Sequence, residues 1–97
     1  MSEYVLLCNY TDQGIRGIKD VPKRRAAARE VAKKLGVEIK AGYMALGAHD
    51  LILHAEAASD EAMAKYVLSI ASKGNLRTTT LKVFPQAEAD KIIAAVV

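Results

Sequence analysis

The sequence has one cysteine, no tryptophan, one phenylalanine and two prolines in 97 residues. The lone thiol of Cys8 can close no internal disulfide, which excludes the small disulfide-stapled class. With only four tyrosines beside the single phenylalanine, the core has to be aliphatic and alanine-rich. No apolar run approaches the roughly 20 residues of a membrane span. The N-terminus lacks the basic and then apolar stretch of a signal peptide. Together these absences lead us to expect a cytoplasmic, reducing compartment. Phosphate loop, dinucleotide fingerprint and nucleophile elbow are missing too. Cys8, His49 and His54 show no metal-ligand spacing, so the residues name neither a metal nor a cofactor.

What is present suits one globular domain over residues 1–97. Apolar residues make up 52% of the chain, ample for a core. A domain of this length buries only about 60–65% of its unfolded surface, so a homo-oligomer is expected. The net charge of +3 is uneven: Arg16 to Lys40 holds nine basic and three acidic residues, and the remainder is acidic. Such asymmetry fits a basic binding face or complementary faces meeting in an assembly.

Tyr4 to Tyr10 is a β-favouring apolar run. Thr11-Asp12-Gln13-Gly14 stops it and opens a short helical segment. Pro22 suits the first turn of a helix running to about Leu35, with Gly36 at its C-cap. Val37 to Leu46 and His49 to Ala55 read as strands joined by a two-residue turn at Gly47-Ala48. Ser59, followed by Asp60 and Glu61, starts a second long helix, closed by Lys73-Gly74-Asn75. Leu76 to Phe84 is a β-branched fourth strand, and Pro85 precedes a short helix carrying Ile92, Ile93 and Val96. The order β-α-β-β-α-β with a C-terminal helix is the α+β, ferredoxin-like pattern. It implies a four-stranded antiparallel sheet with both long helices on one face.

Alternation along the strands identifies the uncovered face. Leu51 and Leu53 are expected toward the helices, leaving Asp50, Ile52, His54 and Glu56 outward. Leu81 and Val83 are likewise expected inward, with Thr78, Thr80, Lys82 and Phe84 outward. Lys40, Met44 and Leu46 should share the outer face, with Lys40 near His54. A bare sheet face is normally more uniformly polar, so this mixture points to a surface covered by another copy of the sheet, with room for a ligand between the two.

Thr11-Asp12-Gln13-Gly14-Ile15, Pro22-Lys23-Arg24, Ala27-Ala28-Arg29 and Gly47-Ala48-His49-Asp50 form a recognisable set. With the late run Gly74-Asn75-Leu76-Arg77-Thr78-Thr79-Thr80, the chain resembles the GYD-domain family over essentially its whole length. His49 stands where the family's eponymous tyrosine would be. The resemblance implies a ferredoxin-like domain of the kind that pairs into a dimeric α/β barrel. It implies no established reaction. Related barrel-forming domains include cofactor-free oxygenases, isomerases, haem-binding enzymes and ligand sensors, so the fold does not settle function.

Among individual residues, Asp50 and His54 are the acid-base candidates, although four residues along a strand separate them by roughly 13 Å. Tyr10, Tyr43 and His49 lie where a pocket mouth would be. Lys40, Arg77, Thr78 and Thr80 offer charge and hydroxyls for a carboxylate or phosphate ligand. Cys8, inside an apolar strand, reads as inert packing. Three function classes follow: a homo-oligomeric small-molecule-binding or assembly module, a cofactor-independent enzyme using Asp50 and His54, and a phosphate- or nucleic-acid-binding protein. The last would use Lys23, Arg24, Arg25, Arg29, Lys33 and Lys34, but no stacking aromatics accompany them.

Overall fold

Strict alternation in the first strand, β1 (Ser2–Tyr10), organises the molecule, which a computed structural model describes over residues 1–97. Tyr4, Leu6 and Cys8 point to one side and are fully or almost fully buried. Against them pack a long helix, α2 (Val21–Lys34), and a second, α3 (Asp60–Ala71). Ala32, Met63, Tyr66 and Ile70 supply the helical half of the core. A short α1 (Asp12–Arg16) and a 3-10 turn (Ile18–Asp20) lead into α2, where Pro22 occupies the first turn as expected. The remaining elements are β2 (Val37–Met44), β3 (Leu51–Ala57), β4 (Leu76–Val83) and α4 (Gln86–Ala94).

The four strands form one antiparallel sheet in the order β2-β3-β1-β4. The two βα crossovers place α2 and α3 on the same face, which is the ferredoxin-like α+β arrangement. The sheet is open, not closed into a barrel within the chain. No helix is long and apolar enough to cross a membrane.

Local expectations hold at most boundaries. Thr11 Oγ1 caps α1 by accepting from the Gly14 amide at 3.1 Å, and Ser59 Oγ caps α3 by accepting from the Ala62 amide at 3.1 Å. Gly36, at φ +73°, ends α2 in the left-handed region that a glycine enters freely. The hairpin differs from expectation. β2 stops at Met44 and β3 starts at Leu51, and the last bond across the mouth runs from the Ala45 amide to the Asp50 carbonyl. The connection is therefore a longer loop through Leu46–His49, not a two-residue turn at Gly47-Ala48.

Two corrections concern sidedness. In β4 the register pairs Tyr4 with Lys82, Leu6 with Thr80 and Cys8 with Thr78. Directly opposed residues share a face, so Thr78, Thr80 and Lys82 lie on the helix side. Thr79, Leu81 and Val83 lie on the open face, the reverse of the expectation. As an edge strand reaching past the helices' cover, β4 needs few apolar residues on that side. The second correction arises at a β-bulge in β2 between Ile39 and Ala41. The extra residue shifts the later alternation, so Tyr43, not Met44, shares the outer face with Ile52.

Candidate functional site

The open face can be reconstructed row by row from the strand pairing. Tyr43, Ile52, Leu7 and Thr79 form one row across the sheet; Ala41, His54, Val5 and Leu81 form the next. Beyond these lie Glu38, Glu56, Glu3 and Val83. Val5, Leu7, Ile52 and Val83 are half-buried although no helix lies over them, and Leu81 is 44% exposed. The face is thus an apolar centre with an acidic end.

His54 sits where the two zones meet. Its Nε2 lies 2.7 Å from Glu3 Oε1, a short imidazole–carboxylate pair at the edge of an apolar surface. Lys40, held outward in the bulge, approaches Glu38 Oε1 at 3.4 Å and Glu56 Oε2 at 3.8 Å. Its ammonium therefore answers two glutamates and not His54. Glu3 was absent from the sequence-derived candidates because its partner becomes visible only once β1 is known to pair with β3. The alternation Glu3-Val5-Leu7-Asn9 within β1 was the available signal.

Asp50 does not join His54. Its Oδ2 accepts from the Tyr10 amide at 2.9 Å, and its own amide donates to the Cys8 carbonyl at 2.9 Å. It thereby ties the hairpin loop to the end of β1. Next to it, Asn9 Nδ2 donates to the Ala48 carbonyl at 2.8 Å, and His49 Nδ1 stands 2.9 Å from Asn9 Oδ1. The Gly47-Ala48-His49-Asp50 segment thus becomes a loop clamp, with half-buried Tyr10 beside it. Arg77 pairs with Asn9 across β1–β4 at the same end of the open face and is exposed. Arg77 and Tyr43 remain on the open side; Thr78 and Thr80 do not. Thr78 Oγ1 and Thr80 Oγ1 lie 3.2 Å apart on the other face.

Much of the remaining motif builds a seam between two loops. The Thr11 amide donates to the Asn75 carbonyl at 3.1 Å, and Thr11 Oγ1 donates to the Gly74 carbonyl at 2.6 Å. Gln13 Nε2 donates to the Lys73 carbonyl and to Asn75 Oδ1 at 3.2 and 3.0 Å. Gly14 is buried so tightly that a Cβ there would stand 2.1 Å from the Asn75 carbonyl oxygen. Arg24 donates to the Gly14 carbonyl at 3.0 Å, so one of the basic residues of α2 is spent on structure.

On the helix side, a groove of about 250 Å³ runs between α3 and β4, lined by Tyr4, Asp60, Met63, Ala64, Val67, Thr80 and Lys82. The Tyr4 hydroxyl donates to Asp60, and Lys82 Nζ lies 3.2 Å from Asp60 Oδ1. The tyrosine hydrogen bond, then the lysine, pull the Asp60 carboxyl below its ordinary range. Desolvation, seconded by Asp60, raises Tyr4. Burial alone pushes the Cys8 thiol up to about 11, which leaves it protonated and unreactive at neutral pH. No group of three or more His, Cys, Asp or Glu side chains is placed to hold a metal ion.

Comparison with known proteins agrees with this architecture. A model of the GYD domain matches residues 4–93. The glutamine synthetase and cystathionine beta-lyase binding protein of Thermus thermophilus is 30% identical over 89 residues, covering 91% of this chain and 94% of that one. Among solved structures, the feast or famine regulatory protein of M. tuberculosis, complexed with L-methionine, superposes with a TM-score of 0.67 at 18% identity. The match covers 88% of this chain and 51% of the regulator, so the chain spans about half the length of that protein. A second Thermus thermophilus protein, known from its crystal structure, superposes at 0.57 with 22% identity, over 88% of this chain and 95% of its own. At these identities the structural matches speak for the fold alone.

Proposed function

We propose that this chain, which belongs to the GYD-domain family, is a homo-oligomeric binding module whose open sheet faces pair and enclose a small ligand between them. The observation that carries the reading is the set Val5, Leu7, Ile52, Leu81 and Val83 on a sheet face with no covering layer. Only 11 of 97 residues are buried within the chain, so the pairing would supply core that the monomer lacks. At roughly 25 cal/mol per Å² of apolar surface removed from water, even a few hundred Å² from each copy stabilises the assembly by several kcal/mol. The pairing is the one a dimeric α/β barrel uses, and it suits a cytoplasmic protein.

Within such an enclosure, Tyr43, His54, Lys40 and Arg77 are the polar groups available to a ligand. The Thermus relative is named for binding two enzymes, which supports a protein partner as a further client of the module. The most direct test is native mass spectrometry beside circular dichroism for wild type and Ile52→Lys. We expect a discrete wild-type oligomer and a folded monomeric variant. An Ile52→Lys protein that keeps its oligomer would refute the pairing.

A second reading, a cofactor-independent enzyme, is favoured by the 2.7 Å His54–Glu3 pair. Proton transfer would then run through His54, with Glu3 orienting it, and Asp50 would serve only to position the loop. Turnover on a candidate substrate that survives both His54→Ala and Glu3→Gln would dispose of that reading.

A further inference from the structure

Helix α4 is an amphipathic arm with nowhere to dock on its own domain. Ala89, Ile92, Ile93 and Val96 recur at i, i+3, i+4 and i+7, which makes one apolar stripe. Yet α4 contains no buried residue, and Ile93 and Val96 are 66% and 72% exposed. Nine residues are too few for a helix to hold alone in water, where isolated helices below about 12–15 residues are marginal. Its order has to come from packing on something.

The α3–β4 groove is a surface of matching character. Met63, Ala64 and Val67 form its apolar floor, with Asp60 and Lys82 on its rim. Leu68, beside this floor on α3, is 68% exposed. The chain's own α4 is poorly connected to reach it. Only Phe84 and Pro85 separate β4 from α4, and Pro85 is extended at φ −55°, ψ 151°. Doubling back over α3 would need a reversing turn, and an extended proline link carries the helix onward past the sheet. The molecule is accordingly elongated, 50 Å long against 18 Å thick.

We infer that α4 is an exchanged arm whose Ile92, Ile93 and Val96 stripe docks in the α3–β4 groove of a second copy. A two-fold axis would satisfy both arms and both grooves at once. The charges agree: Glu88 and Lys91, one turn apart on α4, can meet the Lys82 and Asp60 of the receiving copy. The inference rests on the oligomeric reading above and adds the element that locks the assembly.

Cysteine pairing between differently tagged chains tests it. An Ala64→Cys chain is mixed with an Ile93→Cys chain under mild oxidation, with buried Cys8 as a silent thiol. We expect a 64–93 disulfide joining the two chains, located by peptide mass mapping. A 64–93 bridge within one chain, found with the double variant, would overturn the arm exchange. So would an intact oligomer that forms no 64–93 bridge, an outcome that leaves the paired sheet faces standing. A monomeric wild-type chain would remove both ideas. An inter-chain bridge that persists with Ile52→Lys would keep the exchanged arm and reject the sheet pairing.

Discussion

The two faces of the sheet are built from alternate residues of the same strand. Tyr4, Leu6 and Cys8 lie on one side and Glu3, Val5, Leu7 and Asn9 on the other. The first set is buried under α2 and α3; the second, half of it aliphatic, has no layer above it. Intrinsic hydrophobicity therefore does not separate the faces. What separates them is that both crossovers turn the same way and leave one side bare. A strand apolar on both sides reads as the middle of a three-layer structure, and here one layer has to be another chain.

The sharpest way to break this comparison is to shorten equivalent residues on opposite sides. Leu6→Ala, on the closed face, should lower the unfolding free energy by about 2–5 kcal/mol, measured by urea denaturation. Leu7→Ala should cost the monomer much less and instead shift dissociation to higher protein concentration. Equal losses in the two variants would mean that the faces do not differ as described.

A smaller effect is expected at the loop clamp. Asp50→Asn removes the acceptor charge facing the Tyr10 amide and should cost about 1–2 kcal/mol, with the oligomer unchanged in size-exclusion chromatography. Dissociation of that variant would place Asp50 in the interface.

The smallest effect concerns Asp60, exposed at the groove rim. Its carboxyl is held below the ordinary value by the Tyr4 hydroxyl and then by Lys82, so the folded state favours the ionised form. Its contribution is complete above the ordinary carboxylate pKa and disappears as pH falls through the depressed value. Asp60→Asn should consequently lower Tm slightly at pH 7 and not at all in strong acid. A difference that grows on acidification would reverse the assignment.

A second contrast, between the seam and the open face, shows what a motif can report. Thr11, Gln13, Gly14, Gly74 and Asn75 carry much of the family resemblance, and all of them hold two loops together. His49 and Asp50, at the hairpin, lock the loop end to Asn9 and Tyr10. None of these motif residues lies among the aliphatic side chains of the open face. That face carries no signature, because any β-branched or aliphatic residue serves a flat interface equally well.

Element order, helix caps, the helix-side positions of β3 and the inertness of Cys8 were all legible in the chain, since each depends on local periodicity or on a neighbour two to four residues away. Leu81 and Val83 were not: their side was read from hydrophobicity, whereas an edge strand's face is set by its register with β1. Lys40 and Tyr43 depended on a bulge that no local pattern announces. The pairing of His54 with Glu3, 51 positions apart, needed β3 laid against β1. The amino-acid sequence by itself thus determined the elements and their order, through interactions that reach one helical turn or one strand neighbour. Which side chains meet on the open face was decided only by tertiary structure, because in a strand a shift of one residue exchanges the faces.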